Sequence, residues 1–266
     1  MKSYPRSNIL GVEVSAISMA NAVEQIDAWI ENQTPNSVSL SPGHAIMECY
    51  TQPELRRLYN QSGLTTPAGM AIVWILKLRG FHQVERVYGP DLMRRMFSLS
   101  RENHYRHYFY GGALGVPEKL ILAMQKTYPD LNVVGYESPP FRPLTTEETV
   151  AMIKRIKESK ADIVWVGIGS PRQEIWMASH LSEIECPVLV GVGAAFDFLS
   201  GTKLQAPHWI QKIGFEWLFR LASEPKRLWK RYIQYPKFVL LVLLQSLGLK
   251  HFTTTEGVDN VSAILD

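Results

Sequence analysis

The segment that most constrains the fold is residues 161–176, where an apolar run stops at two glycines and a polar, then apolar, stretch follows. Residues 163–166 favour β-structure and lack polar alternation, which is typical of a parallel strand covered on both faces. Gly167 and Gly169 allow a tight turn and a close approach of a ligand to the backbone. The Ser170-Pro171 pair predicts the first residues of a helix, with Ser170 as its cap. A phosphate can bind at such a helix N-terminus.

Two common nucleotide-binding motifs do not fit this turn. A dinucleotide fingerprint needs a third glycine three residues after the second, and Arg172 stands there. A Walker loop needs a Gly-Lys-Ser/Thr sequence, which is absent from the turn. Gln173 and Glu174 fall in the first turn of the predicted helix. A glutamate there can bind a ligand, or it can simply stabilise the helix through the helix dipole. Ligand binding is the favoured interpretation, and nicotinamide chemistry is disfavoured.

The alternation of strand and helix extends along most of the chain. Thr145 and Glu148 form a capping-box pattern for one of the helices. The pattern predicts an α/β fold, with a Rossmann-like, mostly parallel sheet and helices on both faces. The predicted strands are residues 9–14, 37–40, 64–66, 107–110, 133–136, 163–166 and 188–192.

The pattern changes after Gly201, because residues 207–249 predict consecutive helices with no strand. Six basic residues and one acidic residue lie between positions 220 and 237, and residues 238–249 are almost wholly apolar. That run is shorter than the roughly 20 residues that span a bilayer. Binding at a membrane surface is the favoured interpretation, since charge and apolar surface adjoin. A buried helix or an oligomer contact remains the alternative.

Composition excludes little. The formal net charge of +3 does not indicate a nucleic-acid partner. Cys49 and Cys186 have no metal-ligand spacing, which favours a reducing cytoplasmic compartment. No apolar signal segment is evident near residue 1, so we expect no signal peptide.

The sequence Val-Gly-Ile-Gly-Ser-Pro-Arg-Gln-Glu at 166–174 resembles the signature of the WecG/TagA/CpsF family, glycosyltransferase family 26. Further matches follow the order of the family and cover about residues 8 to 235. They are residues 86–92 (Arg-Val-Tyr-Gly-Pro-Asp-Leu), 109–112 (Phe-Tyr-Gly-Gly), 191–201, 206–207 and 216–227.

This resemblance implies an inverting transfer of a sugar from a UDP-sugar, often UDP-N-acetylmannosamine, to a polyprenyl-diphosphate-linked acceptor. It implies a role in cell-surface polysaccharide synthesis at the inner face of the cytoplasmic membrane. We expect no cofactor, and no metal because the chain contains no Asp-x-Asp triplet. A homo-oligomer is left open. The nucleotide-sugar ligands implied by the match are Arg86, Gly111, Gly112, Gly167, Gly169, Gln173, Glu174, Asp197, Arg220, Arg227 and Arg231.

The catalytic loop departs from the family. Ala68 stands in the Pro-Asp-Gly loop where the family has its proposed catalytic base, and alanine cannot accept a proton. In the preceding loop Ser41, a further candidate catalytic residue, matches the family's threonine, and Gly43 replaces its asparagine. His44 can serve as a base near neutral pH, although a plain loop histidine fits equally. Asp91 is the remaining matching carboxylate, and a helix cap is its alternative role.

We therefore expect a nucleotide-sugar-binding catalytic domain over residues 1–203. Residues 204–252 are expected to form a helical segment for membrane docking and site closure, and residues 253–266 a disordered tail. Two alternatives stay open: a nucleotide-sugar-binding paralogue that has lost catalysis through Ala68, and a nucleotide-dependent enzyme of another kind whose C-terminal run is buried.

Overall fold

The computed structural model describes residues 3–254, so most of the predicted tail at 253–266 lies outside the described residues. The strands are β1 (Arg6–Ile9), β2 (Val12–Ser15), β3 (Asn36–Leu40), β4 (Leu64–Thr66), β5 (Arg106–Gly111), β6 (Asn132–Glu137), β7 (Ile163–Gly167) and β8 (Val188–Gly191). The helices before residue 130 are α1 (Met19–Glu31), α2 (Gly43–Thr51), α3 (Pro53–Gln61), α4 (Met70–Leu78), α5 (Gly89–Asn103) and α6 (Val116–Thr127). The later helices are α7 (Thr146–Ser159), α8 (Arg172–Ile184), α9 (Ala195–Leu199), α10 (His208–Lys212), α11 (Glu216–Ser223), α12 (Pro225–Tyr232) and α13 (Tyr235–Ser246).

The chain divides into two compact units, each built from separate segments. The first unit comprises residues 19–40 and 87–205. The second comprises residues 4–18 and 41–86 together with the chain from 206 onward.

The first unit is a parallel sheet flanked by helices, with the strands in the order β3-β8-β7-β5-β6. Each neighbouring pair in this order is parallel, and β7 lies between β8 and β5. The four apolar residues 163–166 of β7 are fully buried, as expected of a strand covered on both faces. The predicted α/β class and Rossmann-like parallel sheet are confirmed.

Local predictions were mostly confirmed, with two corrections. Thr145 and Glu148 form the predicted capping box of α7. The single strand expected at 9–14 is instead the antiparallel hairpin β1-β2, because Leu10 and Gly11 take positive φ values of 51° and 92° and turn the chain. The helix expected to be capped by Ser170 begins at Arg172, and Pro171 occupies its N-cap position without a side-chain capping bond.

The second unit packs β1, β2 and helices α2 to α4 against α13. Phe238, Leu241 and Val242 of α13 are buried in its apolar core. The opposite side of α13 is apolar but exposed, since Val239, Leu240 and Leu243 each retain more than half of their surface. The buried-helix interpretation is therefore correct for one face of α13, whereas the other face has the apolar surface that the membrane interpretation needs. Within residues 3–254, no helix has both the length and the apolar character to cross a bilayer.

His107 is a fully buried histidine at the start of β5 in the first unit. Its Nδ1 accepts a hydrogen bond from Trp165 Nε1 at 3.1 Å, and its Nε2 lies 2.7 Å from Ser100 Oγ. Nε2 therefore carries the proton and donates to the hydroxyl, so both ring nitrogens are satisfied in the neutral form. Burial lowers the pKa of His107 to about 3.

This shift predicts a loss of stability in acid. Below about pH 6.5 the unfolded chain protonates residue 107, whereas the folded chain resists protonation down to about pH 3. The free energy of unfolding should therefore fall with decreasing pH in this window, by up to about 1.4 kcal/mol per pH unit from this group. Urea unfolding of the native chain and His107→Gln between pH 7.5 and 4.5 measures the contribution. Parallel pH dependences for the two proteins would contradict it.

Candidate active site

Two glycines bring the ends of β5 and β7 together in the first unit. Gly111 pairs with Gly167 in the sheet register, and Gly112 N donates to Gly167 O at 3.1 Å. A β-carbon on Gly111 would lie 2.5 Å from the carbonyl carbon of Gly167, and Gly111 has a φ of +135°. A β-carbon on Gly167 would lie 2.8 Å from the ring of Phe196. Only glycine fits at these two positions, because each packs closely against another part of the chain where the strands end.

Gly111→Ala should therefore destabilise the protein strongly. We expect a loss of at least about 2 kcal/mol, because both the contact with Gly167 and the positive φ oppose a side chain. Gly169→Ala is the matched control: its φ is +81°, but a β-carbon there would meet nothing within 4 Å. Its cost should be limited to the backbone term of about 1 to 2 kcal/mol. Urea unfolding of both variants gives the comparison, and equal losses would show that the close approach is unimportant.

The turn after β7 leads to Gln173 and Glu174 in the first turn of α8, and both side chains are buried. Gln173 Nε2 donates to Glu174 Oε1 at 2.9 Å. Gln173 Oε1 is buried without a hydrogen-bond partner among the described residues. It lies beside the turn after β8, since a β-carbon on Gly193 would be 3.5 Å from it. This carbonyl can accept a hydrogen bond from a ligand N–H or hydroxyl group.

The two predicted site aspartates of the first unit, Asp91 and Asp197, both have basic partners. Asp91 lies in the first turn of α5, where Tyr88 holds the N-cap position, and its Oδ1 is 3.2 Å from Arg94 Nη1. Asp197 lies on α9 with Oδ2 2.7 Å from Lys203 Nζ. An aspartate in the first turn of a helix also stabilises the helix, because its negative charge interacts favourably with the helix dipole.

Two loops of the second unit are bonded to each other. Ser41 donates from its N and its Oγ to Thr66 O, at 2.9 and 2.7 Å. A β-carbon on Gly69 would lie 3.5 Å from Pro42 Cα. Ser41 is completely buried, and its hydroxyl holds the Pro67-Ala68-Gly69 loop at the start of α4. This geometry supports a structural contribution from Ser41.

His44 lies in the first turn of α2 and meets the ring of Tyr232 edge-on, with centroids 6.0 Å apart. Burial lowers the pKa of His44 well below its usual value, and the positive charges of Arg231 and Arg220 lower it further. The imidazole is therefore neutral at pH 7, and a neutral imidazole can accept a proton from a substrate hydroxyl.

The three predicted arginines of the C-terminal helices lie on α11 and α12. Arg231 Nη2 is 3.4 Å from Glu48 Oε1, and Arg227 pairs with Glu224 three residues before it. Arg220 and Arg231 both act electrostatically on His44 and on Tyr232. The second unit thus surrounds a neutral histidine with cationic and aromatic side chains.

Arg86 makes contacts that the sequence did not predict. Its Nε donates to Ala68 O at 2.9 Å, its Nη1 to Gln211 Oε1 at 3.1 Å, and its Nη2 to the carboxylate of Glu216. Glu216 falls within a matched family segment, but no local pattern identifies its partner. Gln211 carries no sequence signal at all.

The predicted site residues thus form two groups, one in each unit. Asp91, the four glycines, Gln173, Glu174 and Asp197 belong to the first unit, whereas Ser41, His44, Arg86 and the three later arginines belong to the second. No three His, Cys, Asp or Glu side chains in the described part of the chain are grouped as a metal site.

Comparison with known proteins gives a consistent result. The model of the glycosyl transferase WecG/TagA/CpsF family matches residues 7–252. Among curated proteins, the chain is similar to the N-acetylglucosaminyldiphosphoundecaprenol N-acetyl-beta-D-mannosaminyltransferases of Staphylococcus aureus strains MW2, NCTC 8325 / PS 47 and MRSA252. Each is 27% identical over 223 residues, which covers 83% of this chain and 86% of the relative.

Proposed function

The chain belongs to the WecG/TagA/CpsF family of glycosyl transferases, and on that premise we propose that it transfers a sugar from a UDP-sugar to a polyprenyl-diphosphate-linked sugar. The relatives are named for transfer of N-acetylmannosamine to an N-acetylglucosaminyl-diphosphate lipid, so this pair is the first donor and acceptor to test. The product belongs to a cell-surface polysaccharide.

The observation that carries this proposal is the environment of His44, which meets the ring of Tyr232 edge-on and experiences the positive charges of Arg220 and Arg231. His44 takes the proton of the acceptor hydroxyl while that oxygen forms a bond to the anomeric carbon of the donor. The bond between that carbon and the diphosphate oxygen breaks, and UDP leaves with the electron pair. Attack opposite the leaving group inverts the anomeric centre.

The departing diphosphate needs positive charge, which Arg220, Arg227 and Arg231 supply without a metal ion. The side chain of Arg227 is more exposed than that of Arg231. Its ion pair with Glu224, three residues before it, lies at the protein surface. Such a pair is exchanged for a phosphate contact at little cost.

In the first unit, the nucleotide is assigned to the turns formed by Gly111, Gly112, Gly167 and Gly169, and Gln173 Oε1 offers an acceptor for a base or ribose donor. Asp197 and Glu174 are further nucleotide contacts in this assignment. Asp91 remains the alternative to His44 as base.

We also propose that residues 204–252 dock the enzyme on the inner face of the cytoplasmic membrane. The support is the basic helix α12 followed by the exposed apolar side of α13. Basic and apolar side chains together bind anionic bilayers.

Leu240→Ser combined with Leu243→Ser should weaken binding to phosphatidylglycerol vesicles by at least about tenfold, because two exposed leucines lose their transfer energy. Vesicle sedimentation measures the partition. Leu122→Ser on α6 is the control, since Leu122 is similarly exposed in the other unit. Unchanged partition together with a change of mass in ultracentrifugation would assign this face to a second copy of the chain.

A second candidate function is a nucleotide-sugar-binding paralogue without turnover, which the alanine at position 68 favours. Release of UDP from a panel of UDP-sugars, with and without the lipid-linked acceptor, separates the two. Acceptor-dependent turnover by the native chain supports the transferase. If only the Ala68→Asp variant shows turnover, the transferase proposal is overturned and the native chain is a nucleotide-sugar-binding protein.

A further inference from the structure

The contacts of Arg86 connect three parts of the second unit. Its guanidinium bonds the carbonyl of Ala68, the amide of Gln211 on α10 and the carboxylate of Glu216 on α11. The side chains of Arg86 and Glu216 are only 15% and 12% exposed. Gln211 is held in turn, because its Nε2 donates to Ala206 O at 2.8 Å. A buried arginine with these contacts is fixed in position, since its planar fork matches a carboxylate.

The Ala68 loop is thereby held from two sides. Ser41 bonds Thr66 on one side, and Arg86 bonds the Ala68 carbonyl on the other. Glu216 and Arg220 are four residues apart on α11, so both lie on the same face of that helix. Fixing Glu216 therefore also fixes the position of Arg220, whose positive charge contributes to the lowered pKa of His44.

We propose that Glu216 is a positioning residue: by holding Arg86 on the carbonyl of Ala68, it docks α11 on the Ala68 loop, which Ser41 joins to the segment that precedes α2. Arg86 acts in this scheme on the loop backbone. The proposal rests on the proposed function only for its kinetic test.

Glu216→Gln tests the docking without any enzymatic assay. Hydrogen exchange, followed by mass spectrometry, should accelerate at least about tenfold in both residues 66–72 and 216–223, because local opening becomes easier. The matched control is Glu158→Gln, which removes the same charge from an exposed i, i+4 pair with Lys154 on α7. Equal exchange in the two variants would overturn the proposal.

Kinetics then separate positioning from simple stability. Glu216→Gln should lower kcat about tenfold and leave the KM for the UDP-sugar within about threefold. The exchanged pair Arg86→Glu with Glu216→Arg restores an ion pair, but a glutamate cannot donate to the Ala68 carbonyl. We therefore expect it to recover Tm relative to Glu216→Gln without recovering kcat, and recovery of both would overturn the proposal. If the native chain shows no turnover, the proposed function fails, while the exchange result still decides the docking.

Discussion

Replacing His44 with glutamine is expected to lower kcat by about two to four orders of magnitude, because the acceptor hydroxyl loses the group that takes its proton. The KM for the UDP-sugar should stay within about threefold, since proton transfer contributes only in the transition state. Acceptor-dependent UDP release measures both constants. His82→Gln is the control, because His82 is an exposed histidine of the same unit.

The pH dependence of the native enzyme provides a second test of His44. Tyr232 of α12 meets the ring edge-on, and Arg220 of α11 and Arg231 of α12 act on it electrostatically. Glu48 lies one turn further along α2. Burial and the two arginines hold the pKa of His44 well below its usual value. The base is therefore neutral and active through pH 6.5 to 8, and kcat should fall only at lower pH. A His44→Gln variant with unchanged kcat, or with an unchanged acidic limb, would transfer the role of base to Asp91 or another group.

Local physics explains why much of the first unit was predictable. A run of β-favouring apolar residues that ends in glycine predicts a covered strand and its turn, and the structure places Gly111 and Gly167 in contact at that point. The capping box at Thr145 was predictable because both of its hydrogen bonds lie within four residues. These signals are short-range, so they can be identified from the sequence without knowledge of the fold.

The second unit was less predictable because its contacts join distant segments. Arg86, Gln211 and Glu216 are separated by up to 130 residues, and no periodicity relates them. The apolar run at 238–249 could be assigned to a core or to a membrane, and α13 has one buried and one exposed apolar face. In each case tertiary packing decides between options that the local sequence leaves open.

The arginines around His44 should have a double effect that distinguishes them from other surface cations. Arg231→Gln is expected to lower kcat by about two orders of magnitude, because the departing diphosphate loses a positive charge. Removing that charge also raises the pKa of His44 toward its usual value, since Arg231 is the larger of the two electrostatic causes of its lowering. Because the base acts only when neutral, the acidic limb of the pH–rate profile should move to higher pH.

Arg220→Gln should move the acidic limb in the same direction by a smaller amount, because Arg220 is the lesser of the two causes. Arg231→Lys keeps the positive charge and should leave the acidic limb in place. Its kcat should still fall, because an ammonium group cannot replace the planar guanidinium in a bidentate contact with the diphosphate. Lys230→Gln on the same helix is the control, since it removes the same charge from a side chain that lies over the ring of Trp229. A loss of kcat in Arg231→Gln without movement of the acidic limb would show that Arg231 acts on the diphosphate alone. If Lys230→Gln lowers kcat and moves the acidic limb as much as Arg231→Gln does, these arginines act only through the general positive charge of the surface.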